Sequence, residues 1–411
     1  MRTSFRRQAY NVFFRLSPLL ILVLLELSLR FLGIGESYEL FLRSEDKQYY
    51  DLNPKYYLRY INIKQFPDIP VLDQRFSVDK PENASRIFLI GDHSLSSLFP
   101  DANTRKIIPD FYDSTGHYYE IIQLAVPLGN SFSVTSLARE VERYDADALV
   151  LISGANEHYG IPRKSPWMQD INNYGGISAY VTLKKYRFLQ VLDRFVYLRK
   201  DDISTFPPAD LDDWSVPYRS REYEETLSHF DRNIRRMTRK ADIPLFMVSL
   251  PEHIKVPPYR SLFDDKELSD ADIAKECAVL VHNADRFSIK RWINDLKAWE
   301  PETAIYYYCL GMIAERAGQT EDALKHYRRA LELDVFRVRS DPNTNDLIVK
   351  HSGEWDGLNL IDVREHMMRT SQNGLRINRY FQNPRALNPS GRELFINEIK
   401  KNLTDHFGSG E

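Results

Sequence analysis

The sequence predicts an α/β protein: a three-layer sandwich around a five-stranded parallel sheet, interrupted by a helical insertion and preceded by a transmembrane helix. Three observations carry this prediction. Five short apolar runs alternate with helical patterns. One later stretch has the spacing of a tetratricopeptide repeat. The amino terminus carries a long apolar run behind basic residues.

That first run, "FFRLSPLLILVLLELSLRFLGIG" from Phe13 to Gly35, follows Arg2, Arg6 and Arg7. A helix of roughly 20 apolar residues spans a bilayer. The basic flank, residues 1–12, should stay cytoplasmic and place the bulk of the chain outside the cytoplasm, in the periplasm if the protein is bacterial. Glu26 and Arg30 stand at i,i+4 spacing and can pair. A cleaved signal peptide is the rival reading, since Gly33 to Gly35 offers small residues. The length of the run and its two late charges favour an uncleaved anchor.

Residues 36–80 form a juxtamembrane stretch without a clear period. The apolar runs then follow: Arg86 to Ile90, Tyr119 to Val126, Ala148 to Ser153, Pro244 to Leu250 and Leu358 to Val363. Near-continuous apolarity suits strands covered on both faces of a parallel sheet. Ser220 to Ala241 reads as a helix with Tyr223, Leu227, Phe230, Ile234 and Met237 on one face. The core is thereby divided into residues 81–262 and 336–411. The insertion, 263–335, contains "AIYYYCLGMIAERAGQTEDALKHYRRALELD", Ala304 to Asp334. Its Leu310-Gly311, Ala323, Tyr327 and Ala330 sit at repeat offsets, so small residues let two helices approach while Tyr327 fills the gap. One repeat cannot bury its own face and should pack on flanking helices. It reads either as a structural bulge or as a docking surface for a protein partner.

The chain has 411 residues and a net charge of −3, with 27% charged residues. That balance argues against nucleic acid as a partner. Cys277 and Cys309 lack metal-ligand spacing and are read as either a disulfide or two buried thiols. No cofactor motif is present.

In open parallel sheets, ligands bind beyond the carboxyl ends of the strands. Four such ends carry polar clusters: Asp92, His93, Ser94, Ser96 and Ser97; Gly129, Asn130 and Ser131; Asn156, Glu157 and His158; and Glu252 with His253. At these positions the chain resembles the SGNH (GDSL-type) hydrolases, which implies a flavodoxin-like sandwich, and in particular their membrane-anchored subgroup with tetratricopeptide insertions. The resemblance runs over roughly residues 13–402. The family block resembling "PDLVxxxxGHNEFYG" is matched by "ADALVLISGANEHYG", which implies that Asn156 donates to an oxyanion. The block resembling "IFxxGGSTTxGFP" is matched by "IFLIGDHSLSSLFP". Counting from Gly91 puts the family serine on His93, and counting back from Phe99-Pro100 puts it on Ser94, the candidate nucleophile. In the second block Gln123 and Ala125 replace the usual Asn and Gly, leaving Gly129 or Asn130 as the second oxyanion donor.

The last block, "LDHVHPNPEG" in the family, departs most. "FQNPRALNPSG" keeps Asn388, Pro389 and Gly391 but puts Asn383 where the aspartate falls and Ala386 where the histidine falls. A serine hydroxyl needs a base, and the base needs an orienting carboxylate. Alanine and asparagine supply neither. His158 or His253 is the candidate relocated base. The histidines with Asp92, Glu157 and Glu252 are also chemically suited to zinc, although their spacing matches no ligand signature. Two functions follow as expectations. One is a membrane-held SGNH-like protein with lost or strongly reduced ester hydrolysis, which binds an acylated or glycan ligand or docks a partner. The other is an active esterase or O-acyltransferase on carbohydrate or lipid esters.

Overall fold

A computed structural model describes residues 2–60, 71–160, 174–198, 215–239, 242–261, 269–283, 291, 294 and 303–408. Side chains are described from residue 17 onward and, within 174–198, for residues 176–192. The predicted boundary at 262–263 lies outside the described residues.

The chain opens with helix α1 (Arg2–Phe31). Among the described residues no helix is long and apolar enough to cross a membrane. Side chains 13–16 of the predicted anchor lie outside that description.

The stretch read as lacking a period is in fact a small antiparallel sheet of β1 (Phe41–Arg43), β2 (Tyr49–Leu52) and β3 (Arg75–Ser77). Strands of three or four residues are too short for an alternation to register. They are held by tertiary packing of Phe41, Phe76 and Tyr144, whose rings meet edge to face.

Among the described residues the main sheet has six strands, not five. They are β4 (Ala84–Gly91), β5 (Phe111–Tyr112), β6 (Tyr118–Ala125), β7 (Ala148–Ile152), β8 (Leu245–Val248) and β9 (Leu358–Ile361). Their order is β5-β6-β4-β7-β8-β9. The five predicted strands are parallel, and β5 adds an antiparallel edge through Phe111 opposite Tyr119. Residues of β4 alternate between two cores: Ile87 and Leu89 join one, Phe88 and Ile90 the other. The second core is closed by α3 (Ser131–Val141) and α6 (Arg221–Thr238). Ser220 caps α6 by accepting from the Tyr223 N–H, so the predicted helix starts one residue late. The first core is closed by α2 (His93–Leu98) and by α12 (Pro389–Gly408), through Phe395, Ile399 and Leu403.

Helices α4 (Tyr174–Leu183) and α5 (Arg187–Leu198) lie between β7 and α6 in the chain. The insertion contributes α7 (Asp270–Asn283), α8 (Ala304–Arg316) and α9 (Thr320–Leu333), followed by α10 (Pro342–Glu354), β9 and α11 (Val363–Thr370). Cys277 in α7 and Cys309 in α8 are both buried free thiols. The close approach of α8 and α9 rests on Gly311: a Cβ there would stand 2.6 Å from the Tyr327 ring. The Tyr327 hydroxyl donates to Glu315 Oε2 at 2.7 Å, so the buried ring keeps a polar partner. Overpacking a close-packed contact costs about 1–3 kcal/mol. Gly311→Val should therefore lower the thermal midpoint measurably by circular dichroism. An unchanged midpoint would mean that this helix pair is not packed as described.

Candidate functional site

The chain order of the parallel strands, 2-1-3-4-5, puts the topological switch point between β4 and β7. The loops after these strands carry the polar residues. Asp92 follows β4 and caps α2, accepting from the Ser94 N–H at 2.7 Å. Ser153 follows β7 and is fully buried. Its hydroxyl bonds to Asp92 Oδ2 and lies 3.2 Å from Glu157 Oε1.

Glu157 accepts from the Ser131 N–H at 2.9 Å and the Ser131 hydroxyl at 2.6 Å. Asn233 of α6 donates to that same hydroxyl at 2.8 Å. Two carboxyls and two hydroxyls thus tie β4, β7, α3 and α6 together through direct hydrogen bonds. Burial pushes both carboxyls above the ordinary range, and the Asp92 charge pushes Glu157 further. The pair therefore keeps a proton to higher pH than exposed carboxyls do.

The predicted catalytic residues are drawn into the same network. Ser94 is fully buried, and its Oγ accepts from the Ala155 N–H at 2.9 Å. The Asn156 amide donates to the Gly129 carbonyl at 2.9 Å and the Leu128 carbonyl at 3.3 Å. Asn130 caps α3 through the Phe132 N–H and donates to the Gly160 carbonyl at 3.2 Å. The Gly129 N–H donates to the Val126 carbonyl at 3.0 Å. Each candidate oxyanion donor is thus paired with backbone.

The histidines do not converge. His158 stacks on Tyr223 at 5.3 Å, with Nε2 3.8 Å from Asp341. His93 has its Nδ1 3.1 Å from the Ser96 hydroxyl, and burial pushes its pKa down to about 4. His253 stacks on Phe381 at 4.2 Å, and its Nε2 lies 3.0 Å from Asn378 Oδ1. Burial pushes it down to about 4 as well, which leaves it neutral at neutral pH. Glu252 faces Asn345 and Arg364, at 2.9 and 3.1 Å. Among the described residues no three of His, Cys, Asp and Glu are placed to hold a metal ion, so the zinc alternative finds no cluster there.

A shallow, narrow cleft does open at this edge. Ser94, Ser97, His253, Phe381 and Arg385 line it, together with Arg339 from the segment after the repeat. Ser97 belongs to the polar cluster predicted after the first strand; Phe381 and Arg385 lie in the last block without being singled out, and Arg339, which belongs to no motif, reaches the cleft only through tertiary contacts. Arg339 donates to Asp334 Oδ2 at 2.7 Å and to the His253 carbonyl at 3.3 Å. The end of α9 is thereby fastened to the loop that carries His253.

The last block supplies the cleft wall. Asn383 Oδ1 accepts from the Arg385 and Ala386 N–H groups at 2.9 and 2.8 Å. Asn388 Oδ1 accepts from the Gly391 N–H at 3.0 Å at the start of α12. A Cβ at Gly391 would stand 2.2 Å from the Tyr380 carbonyl oxygen. Asn388 and Gly391 are thus capping and packing residues.

Comparison with known proteins adds one match: a tetratricopeptide repeat family model covers residues 304–334. No curated protein matches the chain. The repeat that the spacing predicted is therefore present.

The buried carboxyl pair makes a pH prediction. A carboxyl raised on folding holds more protons folded than unfolded, so its contribution is complete below its unfolded value of 4.5 and is lost as pH climbs past neutrality. The thermal midpoint should fall from about pH 5 to about pH 9, and Glu157→Gln should flatten that fall. Parallel pH profiles for the two proteins would show that Glu157 is not the titrating group.

Proposed function

We propose that the chain is a membrane-anchored protein of SGNH-hydrolase type whose ester-hydrolysing machinery has become structural. Its cleft binds a small acylated or glycan group, and its helical insertion offers a surface to a protein partner. One observation carries the loss of hydrolysis. Ser94 Oγ is buried and bonded to a backbone amide, while the Asn156 amide is committed to two carbonyls. A nucleophile needs a base within reach, and an oxyanion hole needs donors free to turn toward the reacting atom. Here the Asn156 amide is turned to backbone carbonyls, and Ala386 and Asn383 cannot supply the base and its carboxylate.

The binding reading draws on the cleft's composition. Phe381 offers an apolar floor and Arg385 a cation to a group that enters the mouth of the cleft. The partner reading draws on the repeat, since tetratricopeptide units commonly bind other proteins. The anchor reading draws on α1. Every residue from Leu19 to Leu25 is at least 40% exposed, so this stretch of α1 presents apolar side chains on every side. Its basic flank places the bulk of the chain outside the cytoplasm.

A second reading, an esterase or O-acyltransferase, is favoured by the presence of Ser94 and His253 on one cleft. It requires the Ser94 hydroxyl to turn away from Ala155.

A fluorophosphonate probe and p-nitrophenyl acetate separate the two readings. The proposed function predicts no labelling and no turnover above that of Ser94→Ala. Stoichiometric labelling abolished by Ser94→Ala would establish the hydrolase instead. For binding, saturation-transfer NMR with acetylated glucosamine oligosaccharides should give a signal that Phe381→Ala weakens at least several-fold. No signal with the wild-type protein would remove the glycan ligand.

A further inference from the structure

Helix α4 packs Val181, Ile177 and Tyr180 onto the second core, and the α4–α5 pair is also fastened by polar contacts to the body and to α1. On the body side, Lys184 Nζ donates to the Leu58 carbonyl at 3.3 Å, and Lys185 pairs with Glu140 at 3.2 Å. On the other side, α5 meets α1. The Phe188 N–H donates to Glu26 Oε2 at 3.1 Å, while Arg30 Nε holds Glu26 Oε1 at 2.8 Å. Arg187 donates to the Leu29 and Ile34 carbonyls at 3.4 and 3.3 Å, and the Leu29 carbonyl also accepts from the Ile34 N–H at 2.9 Å, so α5 grips the turn that ends α1. Gln190 exchanges two hydrogen bonds with the Glu36 backbone, at 2.8 and 3.0 Å.

These contacts set a depth. Glu26 lies about 7–8 Å before the end of α1 at the usual helical rise. If α1 is the anchor, the start of α5 is level with a point that far inside the helix's outer end. Interfacial amphipathic helices sit about 5–10 Å into the boundary between headgroups and acyl chains. Among the described residues of this pair, the exposed side chains are mostly apolar: Leu183 is 44% exposed, Tyr186 43% and Leu192 52%, with Ala179 and Thr182 beside them. Phe31 and Leu32, at the outer end of α1, are 91% and 64% exposed. Glu26, a carboxylate that lipid would penalise, is 8% exposed because α5 and Arg30 cover it.

We propose that the α4–α5 pair is a seat on the bilayer, with Leu183, Tyr186 and Leu192 lying at the boundary between headgroups and acyl chains beside the anchor. The clamp on Glu26, the α1 carbonyls and Glu36 fixes the body against the membrane instead of letting it swing on a tether. This inference rests on the anchor reading above.

The test uses the full chain in vesicles of phosphatidylcholine and phosphatidylglycerol, with Cys277→Ala and Cys309→Ala as background. An environment-sensitive fluorophore is placed singly through Leu192→Cys, Leu183→Cys, Leu22→Cys or Glu321→Cys. Nitroxide lipids labelled near the headgroup should quench the probe at Leu192→Cys and Leu183→Cys several-fold more than at Glu321→Cys. Nitroxides deep in the acyl chain should quench the probe at Leu22→Cys. Quenching at Leu22→Cys without quenching at Leu192→Cys and Leu183→Cys would overturn the seat and leave the anchor standing. No quenching at Leu22→Cys would overturn the anchor and the seat together.

Discussion

One buried hydroxyl, that of Ser153, sits between two carboxyls at the switch point of the sheet. It bonds to Asp92 and lies 3.2 Å from Glu157, which is itself held by Ser131. Unpaired carboxylates in such a place would cost several kcal/mol each, so the loops after β4 and β7 are arranged around satisfying them. Ser94 and Asn156 are recruited into the same order, one against the Ala155 amide and the other against the Gly129 and Leu128 carbonyls. The edge that would ordinarily be kept loose and polar for chemistry is here a hydrogen-bonded floor. The proposed loss of hydrolysis follows from that floor as much as from Ala386 and Asn383.

The insertion takes part in the cleft above this floor. Asp334, at the end of α9, accepts from the Tyr259 and Arg260 N–H groups at 2.9 and 3.1 Å and from Arg339. Arg339 in turn reaches the His253 carbonyl. A load on the repeat would therefore be felt at one wall of the cleft, through ion pairs that are 3–4% exposed and little screened by solvent. If α4 and α5 seat the body on a bilayer, the same molecule joins membrane, cleft and repeat through short polar clamps.

Elements with an unbroken apolar run or a clear helical period were legible because their burial is written into the local pattern. The five parallel strands, helix α6 and the α8–α9 repeat all fall where the runs predict, and the repeat is matched independently. The β1–β3 sheet and β5 were not legible. Strands of two to four residues owe their shape to distant partners such as Phe76 and Tyr144, not to their own pattern. In the site, Asp92, Glu157, Asn130 and Asn156 were placed at the right edge by their position after strands. Their hydrogen bonds to each other and to backbone were not predictable.

What the sequence determined by itself was therefore the set of buried strands, the repeat and the list of polar residues gathered at the carboxyl edge, because periodicity and chain position decide these locally. What only the tertiary structure decided was which of those polar groups face each other. The direction of the Ser94 hydroxyl, the pairing of Asp92 with Glu157 through Ser153, and the stacking of His253 on Phe381 each depend on residues brought together from separate elements. The physical reason is that hydrogen bonds and desolvation act over a few ångströms, while a sequence orders residues only along the chain.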